Sequence, residues 1–304
     1  MLILPFKPME LKILQEPFDS DDFLFQIKWD GVRCVASNFD GNVRLFNRNA
    51  NERTAQYPEI VEDLESFLPD NTMLDGEIVA LGENGKPNFY KLLKRDSAKS
   101  KSKIATLAMS LSSYYMVFDI MYLKGEKLTD LPLTTRLDAL VRLIPPLSNI
   151  HVVDSIYGKG CMLFEIARKL ELEGIVAKKL DSKYIAGEKT NYWYKIKSYR
   201  HLDAFVGGFT ELNGISLLIG LPDENGLLWI GNAGTGLKQS EWRNLQEHLH
   251  NISTDVCPFI NFIGRPHQVI WVEPKVKLRV RYLEQNDDFK LRHPVIEEII
   301  DLGK

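Results

Sequence analysis

Cysteine is scarce in this 304-residue chain: Cys34, Cys161 and Cys257 are odd in number and far apart. That excludes a disulfide framework and a cysteine-built zinc site, and it suits a reducing cytoplasm. Long apolar runs are missing too; none approaches the ~20 residues a membrane span needs. The start, MLILPFKPMELKIL, has neither the basic opening nor the small-residue cleavage site of a signal peptide, so it reads as mature sequence with no membrane partner. Excess positive charge is absent, the formal net charge being −3. Any polyanion must therefore be met by local patches rather than by the field of the whole molecule. Repeats and low-complexity tracts are lacking, and 20 glycines with 14 prolines are ordinary usage, which excludes collagen-like and disordered classes. The six histidines form no triad or ligand spacing and read as structural.

What is present is a globular composition, 44% apolar and 26% charged, over a length that suits two domains, expected as a monomer. The first two thirds mix strand-like runs (FLFQIKW, RCVASNF, VRLFNR, MLDGEIVAL, YYMVFDIMYL, GIVAKKL, WYKIK) with helix-like runs. The helical runs YPEIVEDLESFL, TTRLDALVRLI and CMLFEIARKLEL repeat apolar residues at three and four spacing. Turns are expected at Asp40-Gly41, Glu83-Asn84-Gly85 and Lys124-Gly125. Beyond about His201 the texture changes to short strands, LDAFVGGF, GISLLIGLP, GLLWIGNAG, QVIWVEP and KLRVRYLE, interrupted by the helix KQSEWRNLQEHLHNI. Such a pattern fits a small Greek-key barrel of the OB type. The expected class is α+β, with domains at 1–202 and 203–304 on either side of the charged segment KSYRHLD.

Two basic patches stand out. KLLKRDSAKSKSK, Lys91 to Lys103, carries six basic residues and one acid. It reads either as a solvated, mobile loop or as a contributor to polyanion binding. KKLDSKYIAGEKTNYWYKIKSYR, Lys178 to Arg200, holds seven basic residues, two acids and five aromatics, with lysines and aromatics alternating as on a strand.

The stretch FQIKWDGVR places Lys28 at the end of an apolar strand, two residues before Asp30-Gly31 and five before Arg33. An amine with an ordinary pKa near ~10.4 is almost wholly protonated at neutral pH. Partial burial and neighbouring cations lower that value and make a nucleophile, and both are expected here. Complementary groups follow in order: Arg48 after the next strand, Glu77 in LDGE, Phe118 in VFD, Glu173 and Lys178 in EGIVAK, and Lys195 with Lys197 in WYKIK.

This ordered set resembles the covalent nucleotidyltransferases, most closely the ATP-dependent DNA ligases of bacteria and the ligase module of their end-joining enzymes. KWDGVR, LDGEIV, VFDIMYL, EGIVAKK and WYKIK look like five family motifs, and SKYIAGEKTNYWYKIK, VGGFTELNG, IGNAGTGL and KLRHPVI extend the likeness to about residue 296. The resemblance implies an adenylation domain with antiparallel sheets followed by an OB-fold barrel. It also implies a three-step reaction in which Lys28 takes AMP from ATP, AMP passes to a nick 5′-phosphate, and the 3′-hydroxyl displaces it. Asp30 and Glu173 are then expected to hold Mg2+ or Mn2+, and Glu77 to accept from a ribose hydroxyl. Arg33 and Arg48 would hold ribose or phosphate; Lys178, Lys195 and Lys197 would neutralise phosphate oxygens. Phe118 would stack on adenine from one side and Ile175 or Val176 from the other, while Gln26 and Ile27 read the base edge. Gln26 stands where the family often has an acid. The expected partners are nicked duplex DNA and end-binding or repair proteins.

One departure lies in LRHPVIEEIIDLGK, where the family has an Arg-x-Asp-Lys motif that touches pyrophosphate. Either Arg292, Lys304 or another cation substitutes, or the first step is slow. A capping-type guanylyltransferase and an RNA strand joiner share the lysine motif. A non-catalytic nucleic-acid-binding protein with a relict nucleotide pocket is the reading from a different class.

Overall fold

The computed structural model describes residues 7–82, 85–146, 149–211, 216–265, 268–286 and 288–303. Glu83-Asn84 of one expected turn, Gly214-Ile215 of one expected strand, His267 and Lys304 lie outside the described residues. The chain divides into two compact units, Met1–Ser198 and Tyr199–Lys304, the division falling within KSYRHLD.

The strands of the first unit are β1 (Glu10–Leu14), β2 (Ser20–Ile27), β3 (Val32–Phe39), β4 (Asn42–Asn47), β5 (Thr72–Ala80), β6 (Ser113–Leu123), β7 (Glu126–Lys127), β8 (Ile150–Val152), β9 (Ile156–Gly158), β10 (Gly174–Lys179) and β11 (Lys189–Lys197). They form two sheets, one ordered β1-β11-β10-β2-β9 and the other β4-β3-β5-β6-β7 with β8 beside β6. Pairing is antiparallel, as expected, except at two edges, where β1 runs parallel to β11 and β8 parallel to β6. Because β2 and β3 belong to different sheets, Lys28–Gly31 carries the backbone from one sheet to the other.

The helices are α1 (Pro58–Phe67), α2 (Phe89–Asp96), α3 (Lys101–Ser110), α4 (Leu133–Leu143) and α5 (Gly160–Lys169). Pro58 suits the first turn of α1, where its missing N–H leaves nothing unpaired. Ile60 and Leu64, one turn apart, are fully buried against the outer face of the β3–β5 sheet, each burial contributing about 2 kcal/mol. Leu163 and Ala167 of α5 pack on Phe25, Ile175, Ala177 and Ile196, covering the outer face of the other sheet.

The basic run Lys91–Lys103 is not a loop. It forms the end of α2, a short connection and the start of α3, with Asn88 and Ser100 accepting from the backbone N–H of Lys91 and Lys103. These are N-caps three residues ahead of their donors, a signal that the lysine-rich composition hid.

In the second unit, β12 (Arg200–Thr210), β13 (Ser216–Asp223), β14 (Gly226–Thr235), β17 (Lys277–Tyr282) and β20 (Val295–Asp301) close a ring in the order β12-β13-β14-β20-β17-β12. Inward residues such as Val206, Ile219, Ile230, Val280 and Ile296 fill it, joined by Leu245 and Leu249 of α6 (Gln239–Asn251). The short strands β15 (Ser253–Thr254) and β16 (Ile270–Val272) lie off the ring, and β18 (Glu284–Gln285) pairs with β19 (Leu291–Arg292). The OB-type barrel is therefore present, but QVIWVEP is not one of its five ring strands and VIEEIID is. Register shifts at Lys277/Leu278 and Arg279/Val280 interrupt the alternation, so the closing strand does not read with period two.

Candidate active site

A cleft opens between the two sheets of the first unit, lined by Gln26, Lys28 and Trp29 at the crossover, Val176, Lys178 and Trp193 from one sheet, and Arg33, Glu77 and Phe118 from the other. The crossover is tight. A Cβ on Gly31 would stand 2.1 Å from the carbonyl oxygen of Ile78, so only glycine lets the turn seat against β5. The Lys28 N–H donates to the Gly174 carbonyl at 3.0 Å, fixing the lysine at the head of the cleft.

Register decides which side chains face inward. Val176 is paired with Gln26 on one side and Lys195 on the other, so these three share one face. Trp193, Lys195 and Lys197 share it by period two. Ile175 points the other way, fully buried beneath α5. It is Val176, and not Ile175, that lines the cleft with Phe118. Ile27, half-buried, borders the cleft and packs partly into the same α5 cluster as Ile175.

Lys28 Nζ donates to Glu173 Oε2 at 2.5 Å, and Lys197 Nζ lies 3.3 Å from Glu173 Oε1. Burial by itself would lower the Lys28 pKa, but the carboxylates of Glu173, Glu77 and Asp30 outweigh it and hold the amine above its ordinary value. The expectation that burial and cations would make Lys28 an easily deprotonated amine fails for the free protein, because its nearest charges are acids. Glu77 responds in turn: burial, reinforced by Glu173 and Asp30 and opposed by Lys28 and Arg33, pushes its carboxyl up to about 7.

Arg33 is fixed by a bidentate pair with Asp75, both bonds 2.6 Å, and its guanidinium lies 4.7 Å from the centre of the Phe118 ring. Tyr184 donates to Asp75 Oδ2 at 2.6 Å and accepts from the Met9 N–H at 3.0 Å. One residue beyond Phe118, Asp119 makes a fully buried bidentate pair with Arg136 of α4. Asp75, Tyr184, Asp119 and Arg136 were not singled out from sequence; their partners are distant in the chain and no local spacing reveals them.

Lys178 is placed differently from the expectation. Its Nζ donates to the Phe118 carbonyl at 3.1 Å and sits 4.2 Å from both the Phe118 and Trp193 ring centres. Burial pushes this amine down to about 7. It braces the aromatic wall of the cleft. Lys195 lines the adjoining mouth with Arg48 and Lys189, its pKa lowered by burial and then by Lys197 and Lys28. Arg48 is exposed and pairs with Glu10 at 2.7 Å. Gln26 donates to Ser155 Oγ at 3.0 Å. Arg292 lies in the second unit, 3.5 Å from Glu284.

The carboxylates of Glu173, Glu77 and Asp30 all act on the Lys28 amine, and hard carboxylate oxygens of this kind suit Mg2+ or Mn2+. Among the described residues no three Asp, Glu, His or Cys side chains converge as a preformed cage. A magnesium site built on one or two carboxylates and substrate phosphates does not require one. Among the described residues, Trp29 Nε1 and Trp193 Nε1 are buried donors with no hydrogen-bond partner.

Comparison with known proteins agrees with this geometry. Residues 1–197 match the ATP dependent DNA ligase domain, and residues 213–300 match the ATP dependent DNA ligase C terminal region. The chain is 32% identical over 216 residues to the SPbeta prophage-derived DNA ligase-like protein LigB of Bacillus subtilis, covering 71% of this chain and 76% of that protein. It is 30% identical to the multifunctional non-homologous end joining protein LigD of Mycolicibacterium smegmatis, covering 91% of this chain but only 36% of that protein, so it spans about a third of that relative. The structure of mycobacterial DNA ligase D complexed with ATP and MES superposes with a TM-score of 0.56 at 28% identity, covering 98% of this chain and 96% of that chain. The chain belongs to the ATP-dependent DNA ligase family.

Proposed function

We propose that the chain is an ATP-dependent DNA ligase that seals nicks through a lysyl-AMP intermediate. The observation that carries the reading is one cleft holding the Lys28 amine at its head, Phe118 and Val176 along its walls, and Arg33 with Glu77 between them. A flat base suits the space between Phe118 and Val176. Glu77 suits a ribose hydroxyl, as a carboxylate or as a carboxylic acid.

In the first step the Lys28 amine must lose its proton, and Glu173 accepts a hydrogen bond from it at 2.5 Å, placed to take that proton. The nitrogen then bonds to the α-phosphorus of ATP, and the bond to pyrophosphate breaks with its electron pair. Lys195, Lys197 and Arg33 would neutralise the negative oxygens that develop, and such fixed charge is the main contribution a protein makes to phosphoryl transfer. Asp30 and Glu173 would hold a divalent cation, which when bound neutralises phosphate charge. In the second step the nick 5′-phosphate attacks the same phosphorus and Lys28 leaves. In the third, the 3′-hydroxyl attacks the 5′-phosphorus and AMP leaves. Arg48 and Lys195 at the basic mouth suit the nick phosphate. We assign action as a monomer on nicked duplex DNA in a reducing cytoplasm, alongside end-binding or repair proteins.

The test is mass spectrometry of the protein incubated with ATP and Mg2+, run beside sealing of pre-adenylylated nicks. An AMP adduct on Lys28 that Lys28→Ala removes is the expected result. Absence of the adduct together with open pre-adenylylated nicks would sink the reading, and an adduct formed only from GTP would move it to a capping-type enzyme.

A further inference from the structure

Several surface lysines of the first unit are matched to acids. Lys86 pairs with Glu171 at 2.6 Å, Lys127 with Asp130 at 2.8 Å, Lys179 with Asp181 at 3.2 Å and Lys189 with Glu10 at 3.5 Å. The helical pair α2–α3 instead gathers four lysines of the other kind within ten residues. Lys94, Lys99, Lys101 and Lys103 are all exposed, and among the described residues none has an acid partner. The nearby acid Asp96 is already engaged, accepting from Arg53 at 3.3 Å and from the Tyr57 hydroxyl at 3.0 Å.

The arrangement is costly for the free protein. Lys101 and Lys103 stand in the first turn of α3, where the helix dipole disfavours positive charge. No residue of α3 is buried, and Met109 is 90% exposed, so packing does little to offset that cost. Four like charges in ten residues also repel one another. A sequence that departs this far from local rules, in a chain of negative net charge, fits a surface completed by a polyanion.

Its place in the fold suggests which one. Beyond Arg48 at the mouth of the cleft, the chain turns into the single-turn helix Thr54–Gln56, and Gln56 Nε2 donates to the Ala98 carbonyl at 3.1 Å. The Arg53–Asp96 pair makes a second tie between the same segments. The lysine patch is thus anchored to the segment that leaves the basic mouth. We infer that Lys94, Lys99, Lys101 and Lys103 dock the phosphate backbone of duplex DNA flanking the nick, holding the duplex while Arg48 and Lys195 meet the nick itself. This rests on the ligase reading above. The contact is with phosphates only, so it carries no base preference.

The experiment compares the parent chain with a K94A/K99A/K101A/K103A variant and its K→R counterpart. Affinity for a nicked duplex ending in a 3′-dideoxynucleotide is measured by anisotropy across a salt series, and lysyl-AMP formation is measured in the same preparations. Each lysine that neutralises a phosphate contributes ~0.9 to the slope of log K against log salt, so losing all four should remove about 3.6 from that slope in the alanine variant, while the arginine variant keeps it. Lysyl-AMP formation should stay unchanged in both. Alanine is a better helix former than lysine, so the thermal midpoint should not fall. An unaltered slope in a folded alanine variant overturns the inference, as does a slope lost equally in the arginine variant. If the parent binds the duplex but forms no lysyl-AMP and leaves pre-adenylylated nicks open, the ligase reading fails while the docking surface stands.

Discussion

Lys28 Nζ and Glu173 Oε2 are 2.5 Å apart although 145 residues separate them in the chain. The pair fixes the amine and keeps it protonated. Its release should therefore govern the first step: lysyl-AMP formation by the parent protein should rise steadily from about pH 6 to about pH 9, because the Lys28 pKa lies above its ordinary value. Replacing Glu173 by Gln removes the carboxylate that contributes most to that rise. Without nucleotide or metal, Lys28 of the Glu173→Gln variant should be acylated faster than in the parent at the same pH, read by peptide mass spectrometry. Equal or slower labelling would show that Glu173 does not set the state of the amine.

Asp75 holds Arg33 in place and accepts from Tyr184 as well. Asp75→Asn leaves a buried guanidinium without its counter-charge, and losing one partner of such a pair costs about 3 kcal/mol or more. Denaturant unfolding should show that loss. The KM for ATP in lysyl-AMP formation should rise in parallel, because Arg33 no longer has a fixed position over Phe118.

Val176 and Ile175 are neighbours that face opposite ways. Val176→Ala should weaken ATP binding by about 1 kcal/mol, roughly fivefold in Kd, by removing one wall of the base slot, with little change in Tm. Ile175→Val should do the reverse, costing about 1 kcal/mol of stability and leaving ATP affinity unchanged. The opposite pattern would mean that the β10 register has been misjudged.

Lys178 is a buried amine whose pKa falls to about 7. Unfolded, it titrates near its ordinary value, so between about pH 7 and pH 10 the unfolded chain binds more protons than the native one. Stability therefore rises with pH across that window, and the penalty of the buried charge is fully present below pH 7. Lys178→Met should stabilise the protein by roughly 3 kcal/mol at about pH 6, with the gain shrinking toward about pH 10. A gain independent of pH would refute burial as the cause.

Much of this was legible in the residues alone. Period-two runs located β2, β3, β5, β6, β10 and β11, and the ordered motifs named most of the groups in the cleft. What sequence could not supply were facts that depend on cross-chain distance or exact register. The choice between Ile175 and Val176 needed the pairing of Val176 with Gln26 and Lys195. The direction of the Lys28 pKa needed the distance to Glu173, which no spacing in the chain encodes. Lys178 reads as one more phosphate-binding cation until the rings of Phe118 and Trp193 are seen on either side of it. The α2–α3 helices were hidden by lysines in a first turn, and β20 by bulges that spoil its alternation.

The strand order of the first unit has a kinetic corollary. Its earliest strand, β1, lies in parallel against β11, its latest, with Glu10 opposite Lys189. During synthesis the edge of that sheet stays open until nearly two hundred residues have emerged, and the lysines of β11 arrive together with the sheet's completion. Pairing of such high contact order is slow, so a nascent chain should dwell as an incomplete intermediate that cannot yet assemble its phosphate-binding mouth.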